Sequence, residues 1–128
     1  MLPLPDSGDA PRRRILVIDD SRETAESYAL LAQEMGHQSA FATNGDAALE
    51  FAARMRPDII LLDLVLPDIE GHDLALQLRA LPGLEHARIY VVSGYGTDHE
   101  RRRSREVGCA GHFLKPLPVD VFEALLRG

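Results

Sequence analysis

The chain has little of what marks a secreted, membrane-spanning or nucleic-acid-binding protein. Its single cysteine, Cys109, excludes an internal disulfide framework and suits a reducing cytoplasm. No apolar run approaches the roughly 20 residues that cross a bilayer, and the proline-broken N-terminal segment lacks the early positive charge of a secretory signal. The net charge of −6 argues against nucleic acid as a direct partner. We therefore expect a cytoplasmic protein that binds neither nucleic acid nor membrane.

Length and composition predict one globular domain. A chain of 128 residues is long enough to bury a core, and 45% apolar with 27% charged residues is typical of soluble domains. Residues 1–12 are rich in proline, glycine, aspartate and serine, so we expect them to form a disordered lead. Residues 13–128 are expected to form the domain, and no linker leads to a second, output domain.

Short apolar runs alternate with segments of helical periodicity, a pattern typical of βα units and a parallel sheet. Strands are predicted at residues 14–19, about 38–42, 58–63, 88–93 and 111–114. Helices are predicted from about 21 to 35, from 45 to just before 57, from 72 to 81, from 98 to 107 and from about 118 onward. The sequence therefore indicates the α/β class.

The fourth predicted helix differs from the others because residues 98–107 have almost no apolar stripe. A helix that is polar nearly all round is weakly anchored to its own domain or is covered by a partner. Two interpretations stay open: a solvated helix held by charge pairs, or a mobile surface that another protein recognises.

Asp63 is the most informative residue of the chain. It follows the apolar run Ile59–Leu62 and begins a turn. The first strand pattern likewise ends in carboxylates, those of Asp19 and Asp20. Ligands bind outside the carboxyl ends of the strands in open parallel sheets. Three carboxylates at that edge repel one another, and a hard cation is the usual remedy.

The fourth and fifth predicted strands end in a hydroxyl and an ammonium group, those of Ser93 and Lys115. These groups suit phosphoryl transfer to a carboxylate. Asp63 would be the nucleophile, and Ser93 and Lys115 would donate to the phosphoryl oxygens, where charge must be stabilised during transfer. Asp19 and Asp20 would hold Mg²⁺. Each residue also has a plainer interpretation: an aspartate that caps the first helix, a surface lysine, or a serine in a turn.

In this order, the strand-end motifs resemble the receiver domain of two-component response regulators, and the resemblance extends from Arg14 to Leu126. The matching motifs are Asp19-Asp20, Asp63-Leu64-Val65-Leu66-Pro67 with Gly71, Ser93-Gly94, and Lys115-Pro116. The resemblance implies a flavodoxin-like, doubly wound sheet of five parallel strands in the order 2-1-3-4-5, with five helices.

The resemblance also implies a function. Asp63 would accept a phosphoryl group from a histidine kinase or a histidine phosphotransfer protein, and the domain would signal rather than act as an enzyme. Mg²⁺ would be bound by Asp20, Asp63 and the backbone carbonyl of Val65, with Asp19 acting through a water. The Lys115–Pro116 peptide would be cis. A downstream protein would bind the face made by the fourth helix, the fifth strand and the fifth helix.

Three positions depart from the common receiver pattern or modify it. His112 stands where receivers carry a tyrosine or phenylalanine that swings inward on activation, which leaves the aromatic half of that switch open. Val65 and Tyr95 stand at positions that control the access of water to the aspartyl phosphate. Because both side chains are large and largely apolar, we expect a long-lived phosphoryl group.

Two other function classes remain as alternatives. A phosphatase of the haloacid dehalogenase type needs an acid two residues after its nucleophile, and that position is Val65. A pseudo-receiver would bind partners without phosphorylation, although the complete acidic set and Lys115 argue against it.

The histidines have no metal-ligand spacing, so the sequence predicts no zinc site. The sequence is compatible both with a stand-alone receiver and with the terminal receiver of a hybrid kinase.

Overall fold

Strands and helices alternate through the computed structural model, which describes residues 12–94 and 96–127. The strands are β1 (Arg14–Ile18), β2 (Gln38–Ala42), β3 (Ile59–Leu62), β4 (Arg88–Ser93) and β5 (Gly111–Leu114). The helices are α1 (Arg22–Glu34), α2 (Gly45–Met55), α3 (Gly71–Arg79), α4 (Asp98–Glu106) and α5 (Val119–Arg127). Within the described part of the chain, none of these helices is long and apolar enough to span a membrane.

The strands form one parallel sheet in the order β2-β1-β3-β4-β5, which confirms the predicted fold. From β1 the chain goes to one side to add β2 and then crosses to the other side to add β3. Strand order therefore reverses between β1 and β3, and ligands in such sheets bind at the crevice of this reversal. The residues that follow these two strands are Asp19 and Asp63.

The sheet is covered on both faces, which explains why its central strands are apolar throughout. Leu16 and Ile18 of β1 belong to a core shared with α2 and α3. Ile15 and Val17, which point the other way, belong to a core shared with α1 and α5. Residues of β3 alternate between the same two cores. The acids at the ends of β1 and β3 are therefore held by well-packed strands.

The buried face of α1 is made of alanines. Tyr28, Leu31 and Met35, which recur at helical spacing, are partly buried against the core. The residues of α1 that are fully buried are Ala25, Ala29 and Ala32. Small side chains let the helix lie close to the sheet, and the larger ones pack along its flanks.

Residues 1–12 were predicted to be disordered, and all of them except Arg12 lie outside the described part of the chain. Arg12 itself donates a hydrogen bond from Nε to the carbonyl of Gly36, at 2.9 Å. Tyr95, one of the two residues on which the prediction of a long-lived phosphoryl group depends, also lies outside the described residues.

Candidate functional site

Asp19 and Asp63 lie side by side at the carboxyl edge of the sheet. The backbone N–H of Asp63 donates to the carbonyl of Ile18 at 2.9 Å, and that of Asp19 donates to Ala42 at 3.1 Å. The ladder of the sheet thus continues through both acidic residues and fixes their positions. Both are almost fully buried, with 3% and 6% of their surface exposed.

Asp20 completes a cluster of three carboxylates. It is exposed, unlike its neighbour, yet one carboxylate oxygen from each of Asp19, Asp20 and Asp63 lies within 4.8 Å of the others. The predicted meeting of these three side chains is therefore present in the structure. Oxygen ligands at this spacing suit a hard divalent cation, which prefers carboxylates and retains waters.

The cluster is bridged by Lys115, the only lysine in the sequence. Its Nζ lies 2.6 Å from Asp19 Oδ2 and 3.0 Å from Asp63 Oδ2. The backbone N–H of Lys115 donates to the carbonyl of Ser93 at 2.9 Å, so β4 positions the lysine. The peptide bond between Lys115 and Pro116 is cis, as expected. A compact ammonium group can contact both carboxylates at once, which suits lysine better than the planar fork of arginine.

Burial and the neighbouring charges shift the pKa values of this pair. Burial raises the pKa of Asp63, and the charge of Asp19 adds to this, while contacts with Lys115 and the Val65 N–H oppose it. Burial lowers the pKa of Lys115, but hydrogen bonds and charges from Asp19 and Asp63 outweigh it, so that the net shift is upward. The lysine is therefore charged at neutral pH, and one ammonium group only partly compensates two buried carboxylates.

The raised pKa of Asp63 predicts a pH-dependent effect on stability. The folded state holds the proton of Asp63 at a higher pH than the unfolded chain, whose value is near 3.8. The stability contribution of this residue is therefore intact below that value and is lost as pH rises through the folded-state pKa. Without metal, we expect Asp63→Asn to be more stable than wild type at neutral pH, with a difference that shrinks on acidification. Urea unfolding of both proteins from about pH 7 to about pH 4 measures this difference, and a constant difference would contradict the prediction.

Ser93 and Val65 lie at the same edge of the sheet as Asp63. Ser93 ends β4, is fully buried, and pairs with Leu114, the residue before Lys115. The backbone N–H of Val65 donates to Asp63 Oδ1 at 3.3 Å, while its side chain is 51% exposed. The structure thus brings every predicted site residue to the same edge of the sheet.

Neither Asp19 nor Asp20 is the N-cap of α1, which was the plainer interpretation of these acids. Ser21 is the N-cap of α1, and its side chain accepts a hydrogen bond from Thr24 N–H at 3.3 Å. Asp19 Oδ1 accepts the N–H of Ser21 at 2.9 Å, which orients the carboxylate ahead of the helix. The carboxylates of Asp19 and Asp20 are thus available to the cluster.

Gly71 holds the loop after β3 against the start of α3. Its N–H donates to the carbonyl of Leu64 at 2.9 Å. A Cβ at this position would lie 2.6 Å from Leu64 Cα and 2.9 Å from the carbonyl oxygen of Asp63. Both contacts are with backbone, so only glycine allows α3 to begin this close to the loop that follows Asp63.

A buried polar chain that sequence reasoning missed joins α3, α4 and β5. His72, fully buried, contacts Glu70 Oε2 through Nδ1 at 2.9 Å and Ser104 Oγ through Nε2 at 3.0 Å. Ser104 Oγ also contacts His112 Nδ1 at 2.8 Å. The one available signal was the position of His72 three residues before Ala75, on the buried face of α3, where an imidazole needs polar partners.

The direction of each hydrogen bond in this series follows from the carboxylate of Glu70 at its end. A carboxylate accepts, so His72 Nδ1 carries a proton, and in the neutral ring Nε2 accepts the Ser104 hydroxyl proton. Ser104 in turn accepts the N–H of His112. His112 therefore points its Nδ1 toward α4 and is connected to α3 through one buried hydroxyl, that of Ser104.

The buried hydrogen bonds of Ser104 also help to attach the polar helix α4 to the domain. Ser104 is its buried residue, and Arg101 donates to the carbonyls of Gly96 and His112 at 3.2 and 3.1 Å. A charge-pair interpretation accounts for part of the attachment, because Arg103 lies 3.6 Å from Glu70. Hydrogen bonds between side chains and backbone carry the rest, in place of the missing apolar stripe.

Removal of the shared hydroxyl should destabilise the domain. We expect Ser104→Ala to lower the free energy of unfolding by about 1–3 kcal/mol, because the buried ring of His72 loses the partner of its Nε2. Urea unfolding measures the change. Arg102→Ala, an exposed position on the same helix, is the control and should stay within about 0.5 kcal/mol of wild type. Equal stability of the two variants would show that the buried chain contributes nothing.

Comparison with known proteins agrees with this geometry. The family model for the response regulator receiver domain matches residues 15–127. The chain belongs to this family. Sporulation initiation phosphotransferase F of Bacillus subtilis is 29% identical to this receiver over 107 residues, which are 84% of this chain and 85% of that protein.

Solved structures show the same fold. The chemotaxis protein CheY4 of Vibrio cholerae superposes with a TM-score of 0.85 at 21% identity, covering 91% of this receiver and 98% of that chain. A response regulator protein from Burkholderia pseudomallei, solved with a phosphorylated aspartic acid, calcium ion and citrate, superposes with a TM-score of 0.82 at 29% identity. That match covers 89% of this receiver and 66% of the other chain.

Proposed function

We propose that this receiver accepts a phosphoryl group on Asp63 from a phosphohistidine donor, in a reaction that depends on Mg²⁺. The observation that carries the proposal is the position of Lys115 Nζ, 3.0 Å from Asp63 and 2.6 Å from Asp19. It brings an amine, a nucleophilic carboxylate and further acids to one pocket at the reversal of strand order. The phosphorylated aspartic acid in the Burkholderia protein supports the same chemistry here.

The acidic cluster fits a hard cation. Asp63 and Asp20, with the backbone carbonyl of Val65, would hold Mg²⁺, and Asp19 would act through a water. The fit rests on the carboxylate cluster and on the raised pKa of Asp63, since one lysine leaves the buried charge incompletely compensated. When bound, Mg²⁺ would neutralise phosphoryl oxygens during transfer.

The protein residues perform the rest of the reaction. An oxygen of Asp63 attacks phosphorus, and a P–O bond forms as the P–N bond of the donor phosphohistidine breaks, with the electron pair leaving on the imidazole. Lys115 then contacts the phosphoryl oxygens with its ammonium group, and the Ser93 hydroxyl donates to another. The lysine therefore exchanges a contact with the carboxylate for one with its product.

We further propose that the donor is a histidine kinase or a histidine phosphotransfer protein and that the reaction takes place in the cytoplasm. Residues 13–128 would form the receiver and residues 1–12 a disordered lead. The output would be a protein bound at α4, β5 and α5. Phosphorylation would act on this face through the loop after Ser93 and through α4, with the buried chain from His72 to His112 taking part in place of an aromatic switch.

Treatment with a small-molecule phosphodonor and Mg²⁺, followed by intact mass measurement, tests the proposal. We expect one added phosphoryl group and none when the cation is chelated. Continuous release of phosphate with multiple turnovers would instead favour the phosphatase alternative, and no reaction would favour the scaffold alternative. The lifetime of the adduct in wild type and in Tyr95→Ala then tests the prediction of a long-lived phosphoryl group, which requires faster decay in the variant.

A further inference from the structure

A second group of ligand atoms lies outside the phosphoacceptor pocket, where the N-terminus of α3 approaches the N-terminus of α4. It consists of one carboxylate oxygen each from Glu70 and Glu100 and one ring nitrogen of His72, all within 4.8 Å of one another. The ring nitrogen that faces Glu70 is Nδ1, 2.9 Å from Oε2. A surface groove beside it is lined by Leu64, Val65, Glu70, Thr97, Glu100 and Arg103. The group is therefore reachable from solvent although the imidazole itself is buried.

The side chain of Glu100 has no other evident role. Among the described residues, none forms a hydrogen bond or an ion pair with its carboxylate; only its backbone N–H is bonded, to Thr97 Oγ1 at 3.1 Å. Glu70 is different, because it caps α3 and contacts Arg103. An uncompensated carboxylate therefore lies against a second carboxylate and an imidazole nitrogen, an arrangement that a cation would stabilise.

We propose that Glu70, His72 and Glu100 form a second divalent metal site, selective for a cation such as Zn²⁺ that accepts imidazole. The spacing of the first two ligands needs little change: His72 Nδ1 and Glu70 Oε2 are 2.9 Å apart, and two ligands of tetrahedral zinc at about 2.1 Å lie roughly 3.4 Å apart. The metal would take the place of the proton that now joins these atoms. Water would complete the coordination of a site with three protein ligands.

The surroundings of His72 match those of a metal-bound histidine. Such a ring normally donates its second N–H to a protein oxygen that holds its orientation. Ser104 Oγ, 3.0 Å from Nε2, is that oxygen. Metal on Nδ1 requires the proton on Nε2, so the Ser104 hydroxyl must turn and donate to His112 Nδ1. The chain of hydrogen bonds would then run in the opposite direction, and His112 would carry its proton on Nε2.

Competing ions and side chains do not block this site. Mg²⁺ prefers an all-oxygen environment and keeps its waters, so it should remain at the aspartates. Arg103 lies 3.6 Å from Glu70 but also 3.9 Å from Asp73, so it can retain an acidic partner when Glu70 turns to a metal. Burial raises the pKa of the Cys109 thiol to about 11, so this cysteine is protonated at neutral pH and a poor competitor for zinc.

The site would join α3 to α4, the polar helix of the proposed output face. A bound metal would therefore restrain α4 and reset the hydrogen bond to His112 on β5. The proposal does not depend on phosphorylation of Asp63, because none of its three ligands belongs to the phosphoacceptor pocket.

Calorimetric titration of Zn²⁺ into the whole protein in excess Mg²⁺ tests the site. We expect one zinc per chain in wild type and binding at least about tenfold weaker in Glu100→Gln, since loss of a second-shell partner alone costs that much. His99→Gln is the matched control: it removes an exposed histidine next to Glu100 and should bind like wild type. Loss of binding in His99→Gln, or an affinity unchanged in Glu100→Gln, would overturn the proposal, as would binding that disappears only in Asp63→Asn.

Nitrogen NMR of the imidazole rings provides a second measurement that does not depend on a variant folding. Addition of Zn²⁺ should move the proton of His72 from Nδ1 to Nε2 and change the Nδ1 signal of His112. Zinc binding that leaves the ring signals of His72 unchanged would place the metal elsewhere and overturn the assignment.

Discussion

Asp63→Asn is expected to abolish phosphorylation of this receiver. The carboxylate is the proposed nucleophile, and the amide that replaces it cannot form a stable acyl phosphate. The variant should gain no phosphoryl mass from a small-molecule donor in Mg²⁺, under conditions in which wild type gains one. The fold should persist, because the amide oxygen can still accept the hydrogen bond from Lys115 that now measures 3.0 Å.

Asp120→Asn is the matched control for this experiment. Asp120 is an exposed acid in the first turn of α5 and is not one of the proposed site residues. Its variant should be phosphorylated like wild type. Phosphorylation of Asp63→Asn at the wild-type level would show that another residue accepts the group. Intact mass of both variants, with circular dichroism to verify folding, decides between these outcomes.

Lys115→Met is expected to lower the free energy of unfolding by about 2–4 kcal/mol in the absence of divalent cations. The side chains of Asp19 and Asp63 are 5% and 7% exposed, and the lysine Nζ is the cation that contacts both. Methionine preserves much of the length of the side chain but leaves two buried carboxylates facing each other without a counter-charge. Urea unfolding in a chelating buffer measures the loss.

Mg²⁺ should restore much of this stability, and more in the variant than in wild type. A ligand that binds only the folded state stabilises it by mass action, and without the ammonium group the carboxylate oxygens are fully available to the metal. Arg102→Met removes one exposed positive charge from α4 and is the control for net charge. A Lys115→Met variant that loses no more stability than Arg102→Met, or that Mg²⁺ fails to stabilise, would contradict the bridging role of the lysine.

Local patterns were sufficient for the strands and helices. Predicted bounds lie within about two residues of the observed ones, because each strand is a short apolar run between turn residues and each helix has a recognisable cap or stop. Asn44 caps α2 and Thr97 caps α4, and the side chain of each accepts a backbone N–H three residues on. Which apolar side chains of α1 face the core was less predictable, because alanine and tyrosine both satisfy helical spacing.

The candidate site was predictable for a topological reason. Asp19, Asp63, Ser93 and Lys115 each follow or end a strand, and all parallel strands present their carboxyl ends at one edge. Their convergence therefore depends on strand order and not on loop conformation. Their roles in phosphoryl transfer remain predictions, which the variants described above test.

The buried chain through Ser104 could not be found in the same way. His72 and Ser104 are 32 positions apart and Ser104 and His112 are 8 positions apart, and no periodicity links them. Sequence spacing likewise gave no reason to expect a metal site that includes His72. The other two proposed ligands of the metal, Glu70 and Glu100, come from the start of two different helices.

The amino-acid sequence by itself determined the order and type of the elements, the edge of the sheet that carries the acids, and the cis Lys115–Pro116 bond expected from the family resemblance. Tertiary structure decided how α4 is attached, which direction His112 takes, and which carboxylates share one ammonium group. The physical reason is the range of the interactions involved. Apolar periodicity acts between neighbours along the chain, whereas a buried hydrogen bond or ion pair is defined only when separate elements have packed.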